Sequence, residues 1–174
     1  MEKKHLILIG FMGSGKSTIG AAVASRLQLP LIDTDKLIEK EQGLSVATIF
    51  KERGEMAFRQ MEKELLYRLA KEEKPLLIST GGGLPVYEDN GTLLKQMGLV
   101  IWLDVNKTTI LKRLKNDTTR PLLHGDNVEE RVEALLAKRE DYYRKAADVI
   151  LDVNHASIKQ LEESICSSYR INRK

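Results

Sequence analysis

Short apolar runs alternate along the chain with longer segments in which apolar residues recur every three or four positions, the pattern of strands alternating with amphipathic helices. Runs at 6–9, 31–32, 76–79, 99–103 and 149–151 predict five strands. Helical spacing predicts helices over 16–27, 36–41, 45–52 and 55–72, one capped by Asn106, one that carries Arg139, and a last one from about 157. Gly43 and Gly54 break the early helical stretch. Asn127 followed by Glu130 predicts a capping box at the start of the helix that carries Arg139. Most of the runs are apolar throughout, which implies a parallel sheet covered by helices on both faces. The expected fold class is therefore α/β, a three-layer α/β/α arrangement around five parallel strands. Residues 115–127 are polar, contain a glycine and lack apolar periodicity, so they read as a mobile loop.

Composition narrows the function. With 174 residues and 42% hydrophobic content, the chain has the size of one domain with a real core. Lys plus Arg number 28 and Asp plus Glu 25, so the net charge of +3 is too small to make the whole protein a polyanion binder. Together with an aromatic content of 5%, this argues against nucleic acid as a partner. A single cysteine, Cys166, cannot form an internal disulfide or build a cysteine zinc site, and a cytoplasmic location is expected. Nothing approaches the ~20 apolar residues of a membrane helix. Lys16, lying among glycines after the first apolar run, is the wrong chemistry for an export signal.

The strongest local signal runs from Gly10 to Ser17 in the order Gly-Phe-Met-Gly-Ser-Gly-Lys-Ser, a complete P-loop placed after a strand and opening a helix. Gly13, Ser14 and Gly15 let backbone N–H groups wrap phosphates, Lys16 meets the β/γ oxygens and the Ser17 hydroxyl ligates Mg²⁺, with Thr18 continuing the helix start. A guanine-nucleotide switch is excluded, because Asn106-Lys107-Thr108-Thr109 lacks the aspartate that reads the base. No aspartate ends the third strand either, where Leu76-Leu77-Ile78 runs into Ser79. Asp33 and Asp35 are then the carboxylates available near the P-loop. Two residues apart at the end of the second strand, they are expected to project to the same side.

Further features ask for a small anionic, hydroxylated acceptor. Gly81-Gly82-Gly83 follows the third strand and offers backbone N–H groups at close approach. Arg59 follows Phe58 and precedes Glu62 by three residues, so that carboxylate can hold the guanidinium. Arg139 lies on a later helix, and Lys112, Arg113, Lys115 and Arg120 cluster around the polar loop, as a basic lid over phosphates would.

Taken together these residues resemble the shikimate kinase family, the small P-loop phosphotransferases of aromatic amino-acid biosynthesis. The resemblance rests on Gly-Ser-Gly-Lys-Ser-Thr at 13–18, Asp33-Thr34-Asp35, Phe58-Arg59 with Glu62, Gly81-Gly82-Gly83, Arg120-Pro121-Leu122 and Arg139 with Tyr143. It implies a P-loop kinase fold in a single domain, 1–174, with a substrate-binding segment at about 34–60 and a lid at about 113–127. ATP and Mg²⁺ would be used, and shikimate would be the partner of a monomeric chain that needs neither membrane nor nucleic acid. Lys16 would bind the transferring phosphoryl group, and Ser17, with Asp33 through water, would hold Mg²⁺. Asp35 would align the attacking hydroxyl, and Arg59 and Arg139 would clamp the carboxylate, whose planar shape suits a guanidinium fork. The N–H of Gly82, between Gly81 and Gly83, would meet ring hydroxyls, with Phe50 and Phe58 packed nearby. Arg120 would reach the ATP phosphates from the lid, and Arg113 would lie against adenine. Lys16, Asp35 and Arg120 would thus be the catalytic set. The alternative readings are another small-molecule kinase of gluconate type and a non-catalytic P-loop binding module. The match weakens at Asp152-Val153-Asn154-His155-Ala156, where no adenine contact is assigned. His5, His124 and His155 have no metal-ligand spacing and are expected at the surface; Trp102 and Cys166 are expected in the core.

Overall fold

The structure is a computed structural model, described here for residues 3–114 and 127–172. Five strands, β1 (His5–Ile9), β2 (Leu31–Asp33), β3 (Leu77–Ser79), β4 (Gly98–Asp104) and β5 (Val149–Asp152), form one sheet in the order β2-β3-β1-β4-β5, parallel throughout. β1 is buried along its whole length and β4 over six of its seven residues, as uninterrupted apolar runs demand. β5 sits at an edge and alternates half-buried with exposed residues.

Seven α-helices are described: α1 (Lys16–Leu27), α2 (Thr34–Gln42), α3 (Val46–Ala70), α4 (Asn90–Met97), α5 (Lys107–Leu114), α6 (Val128–Ala146) and α7 (Ile158–Asn172). α1 and α7 pack together on one face of the sheet, while α4 and α6 cover β4 from the other, giving the three layers expected. The chain leaves β1 for one side of the sheet and returns through β4 on the other. The connection after β1 therefore opens at the point where strand order reverses, the position at which open α/β sheets bind ligands.

The helix bounds of α1 coincide with those predicted, and Asn106 caps α5 by accepting from the Thr109 N–H at 2.8 Å. Gly54, at φ 82° and ψ 166°, kinks α3 into the two helical pieces expected. Other expectations need correction. Asp35 is not on a strand: β2 ends at Asp33, which caps α2 by accepting from the Lys36 N–H at 3.2 Å, so Asp35 lies in the first helical turn and the two aspartates do not share a strand face. The capping box at Asn127 does not form, because this residue is left-handed (φ 63°) and makes no side-chain cap, its carbonyl taking the Arg131 N–H instead. His5 is buried, not superficial: it opens β1 inside the sheet, and the N–H of Leu76, just before β3, donates to its Nδ1 at 3.2 Å. His155 is exposed as expected, and His124 lies outside the described residues. α4 was not anticipated, being short and opening with Asn90-Gly91. Trp102 and Cys166 are in the core.

Candidate active site

The P-loop follows directly from β1. Gly13 and Gly15 adopt positive φ (77° and 94°), where a side chain would be strained, and this turns the backbone from the strand into α1. Gly15 caps α1 with no side-chain hydrogen bond, so the helix start presents backbone N–H groups, with Ser17 and Thr18 exposed in its first turn. The Lys16 ammonium lies back across the loop, donating to Gly10 O at 2.7 Å and Phe11 O at 3.0 Å and reaching the Ser14 hydroxyl at 3.5 Å. Arg113 bridges this loop to the chain after β5, donating to Gly13 O at 2.8 Å and Val153 O at 3.2 Å. The segment that sequence left unassigned is itself ordered by side chains: Asp152 accepts from Asn154, and Asn154 Oδ1 accepts from the Asn106 N–H at 2.9 Å.

Next to the P-loop, the carboxyl ends of β2 and β3 are level, Asp33 pairing with Ser79 and Leu8 of β1 with the same residue. Here three segments meet at Gly81-Gly82-Gly83. A β-carbon on Gly81 would lie under 3.0 Å from the Asp35 carboxylate, and one on Gly83 under 3.0 Å from the Arg59 guanidinium. At Gly82 it would stand 3.2 Å from an Arg139 nitrogen. Each glycine thus faces a different charged side chain, and the spacing explains why all three lack one. Gly81 differs from expectation in one respect: its N–H is committed to the Thr34 hydroxyl at 2.9 Å, so it contributes space beside Asp35 and no donor.

Arg59 is held on every side. Its guanidinium donates to Glu62 at 2.6 Å and to Glu55 at 2.9 Å, and lies 5.9 Å and 5.7 Å from the ring centres of Phe50 and Phe58, themselves 5.1 Å apart. Phe50 and Phe58 therefore reach the site through Arg59. Glu62 is fully buried, and that burial pushes its carboxyl up to about 7 against the pull of Arg59, with Asp35 pushing further up and Arg139 down. The guanidinium of Arg139 lies 5.4 Å from the ring centre of Phe11, a P-loop residue not singled out from sequence. One turn along α6, Tyr143 is buried and donates to Gly82 O at 2.5 Å; burial pushes its phenol up to about 12, with Arg139 opposing. Arg120 and the rest of the expected lid between 115 and 126 lie outside the described residues.

The chemistry of the donor set suits magnesium. Ser17 and Asp33 offer oxygens only, and among the described residues no three His, Cys, Asp or Glu side chains gather into a metal cage. Magnesium is usually held this way, by one or two protein oxygens, water and the substrate's phosphates. No helix among the described residues is long and apolar enough to cross a membrane.

A strand-to-helix P-loop, facing a compact cluster of two arginines, an aspartate and bare backbone, defines a phosphotransferase that carries a phosphoryl group from a nucleotide to a small acceptor. The family model for shikimate kinase matches residues 12–170. A shikimate kinase of Thioalkalivibrio sulfidiphilus is 40% identical over 173 residues, covering 99% of this chain and 90% of the relative. The solved structure of shikimate kinase from Acinetobacter baumannii in complex with shikimate superposes with a TM-score of 0.91 at 33% identity, over 98% of this chain and 95% of that one. A gluconokinase from Sinorhizobium meliloti shares the fold alone, with a TM-score of 0.63 at 16% identity over 99% and 96% of the two chains. The chain belongs to the shikimate kinase family and is an ATP-dependent kinase acting on an alcohol group.

Proposed function

We propose that this chain transfers the γ-phosphoryl group of ATP to the 3-hydroxyl of shikimate, giving shikimate 3-phosphate and ADP. The observation that carries the assignment is the triple-glycine turn, whose three members face Asp35, Arg139 and Arg59 in turn beside the P-loop. A carboxylate-bearing, polyhydroxylated ring is the kind of acceptor such a set would bind.

Phosphoryl transfer passes through a loose transition state, so alignment and positive charge supply most of the catalysis. Lys16 leaves its carbonyl partners on the P-loop to bind the transferring group, while the N–H groups at the start of α1 hold the other phosphates. Ser17 and Asp33, the latter through water, would hold Mg²⁺, which would supply positive charge against the phosphates. Arg59 and Arg139 clamp the acceptor's carboxylate, Gly82 N–H binds a ring hydroxyl, and Asp35 orients the hydroxyl that attacks. Arg113, between the P-loop and Val153, packs on adenine. Arg120, with the 113–127 lid, is assigned to the phosphates on the family resemblance alone. We read the chain as a monomer, and a lone buried cysteine suits the cytoplasm.

ADP release coupled to NADH oxidation, with Mg·ATP and a panel of small hydroxy acids, tests the assignment. Turnover is expected with shikimate; turnover with gluconate and none with shikimate would replace the reading, and calorimetric shikimate binding without turnover would make the chain a binding module.

A further inference from the structure

Three consecutive glycines are the part of a binding site least able to hold its own shape, since glycine loses more conformational freedom on ordering than any other residue. In this structure the turn is nevertheless fully specified by its neighbours. Gly81 N–H donates to the Thr34 hydroxyl at 2.9 Å, and Gly82 O accepts from the Tyr143 hydroxyl at 2.5 Å. Gly81 O and Gly83 O accept from Leu84 and Val86 N–H at 3.2 Å and 3.1 Å, in the short 3₁₀ turn Leu84–Val86. All three carbonyls are thereby engaged, and so is the first N–H. The polar groups of the turn that make no hydrogen bond among the described residues are the N–H groups of Gly82 and Gly83, both donors.

The two outer hydroxyls come from opposite walls. Thr34 is 0% exposed at the start of α2, immediately before Asp35; Tyr143 is 1% exposed on α6, one turn after Arg139, its ring packed on Trp102 at 5.8 Å between centres. Each hydroxyl therefore ties the turn to the segment that carries one of the charged side chains facing it. We infer that Thr34 and Tyr143 are positioning residues that hold the triple-glycine turn as a two-donor surface in register with Asp35 and Arg139, and so set affinity for the acceptor without touching it. This rests on the reading that the turn binds the acceptor. A preorganised turn does not have to be ordered when the acceptor arrives, which is where affinity is otherwise lost.

The test compares Thr34→Val and Tyr143→Phe, which remove only the hydroxyl's bonding, with Thr34→Ser, which restores it, and with Tyr143's exposed neighbour changed as Tyr142→Phe. With the wild type turning over shikimate, each of the first pair is expected to raise KM for shikimate about three- to tenfold, the effect of one hydrogen bond. KM for ATP should stay within about twofold in the same variants, and Thr34→Ser and Tyr142→Phe should match the wild type on both. An unchanged KM for shikimate in either hydroxyl variant, or an equal rise for both substrates, overturns the inference while leaving the assigned reaction intact. A wild type inactive on shikimate instead overturns the assigned reaction. Amide exchange at Leu84 and Val86 then decides separately: it should accelerate in Thr34→Val and in Tyr143→Phe, and unaltered exchange in both defeats the positioning role.

Discussion

The two halves of the cleft, proposed for nucleotide and for acceptor, would bind anions by opposite means. The P-loop is one continuous stretch whose backbone would do the binding, and its shape follows from two positive-φ glycines and a strand-to-helix junction. The acceptor half gathers 33–35, 59–62, 81–83 and 139–143, and its charged side chains are themselves held by other side chains: Arg59 by Glu62, Glu55 and two phenyl rings, Arg139 by Phe11, the glycine turn by Thr34 and Tyr143. A local device keeps its form when distant residues change. An assembled one is sensitive to residues that never meet the ligand.

The contrast can be broken most sharply at Lys16. Lys16→Met should lower shikimate-dependent ADP release about a thousandfold, the scale of losing a charge aimed at the transition state. Calorimetric shikimate binding by the same variant should stay within about twofold, since the lysine serves the phosphate half. Loss of both would mean that the two halves are not separable.

On the acceptor side, Arg59→Ala or Arg139→Ala should weaken shikimate binding by about 30-fold or more, leaving ATP binding largely intact. The two should differ in stability, because removing Arg59 strands the fully buried Glu62 without its partner, whereas Arg139 lies on a ring; thermal unfolding would read that difference. Gly83→Ala should reproduce part of the Arg59 effect, about tenfold in KM for shikimate, because the added methyl collides with the guanidinium. An unchanged KM would show that Arg59 can swing aside without loss.

The smallest expected effect is on pH dependence. Burial, opposed by Arg59, pushes Glu62 up from 4.5 to about 7. The unfolded chain releases that proton near 4.5, so the folded state is favoured most below this pH and loses stability as pH rises towards 7, by at most about 3 kcal/mol. Denaturant titrations between these pH values should lose that slope in Glu62→Gln; the same slope in both proteins would place the ionisation elsewhere. His5 acts in the opposite sense. Burial holds its imidazole below 6.5, so its contribution is present above that pH and is lost as pH falls.

Much of this could be read from the chain. The P-loop, the bounds of α1, the cap at Asn106, the break at Gly54 and the Arg59–Glu62 pair are all contacts within a few residues, where spacing alone dictates geometry. The five strands announced themselves as apolar runs. The misreadings have local as well as longer-range causes. Asp35 left the strand because Asp33 caps α2, and His5 is buried where β1 starts beside Leu76, 71 residues away. Asn127 took a left-handed conformation that its side chain could not use as a cap. Thr34 and Tyr143 stood inside quoted motifs, yet nothing in the residue types indicated that their hydroxyls would face glycines.

Sequence alone determined that this is a parallel α/β protein with a P-loop, and it singled out the residues proposed here for an anionic acceptor, because strand and helix periods and the P-loop are written in neighbouring positions. Only the tertiary structure decided how the acceptor side is put together. The bonds that shape it join residues 47 apart (Thr34 and Gly81) and 61 apart (Tyr143 and Gly82), and such partners are chosen by which strands lie side by side and which helices cover them.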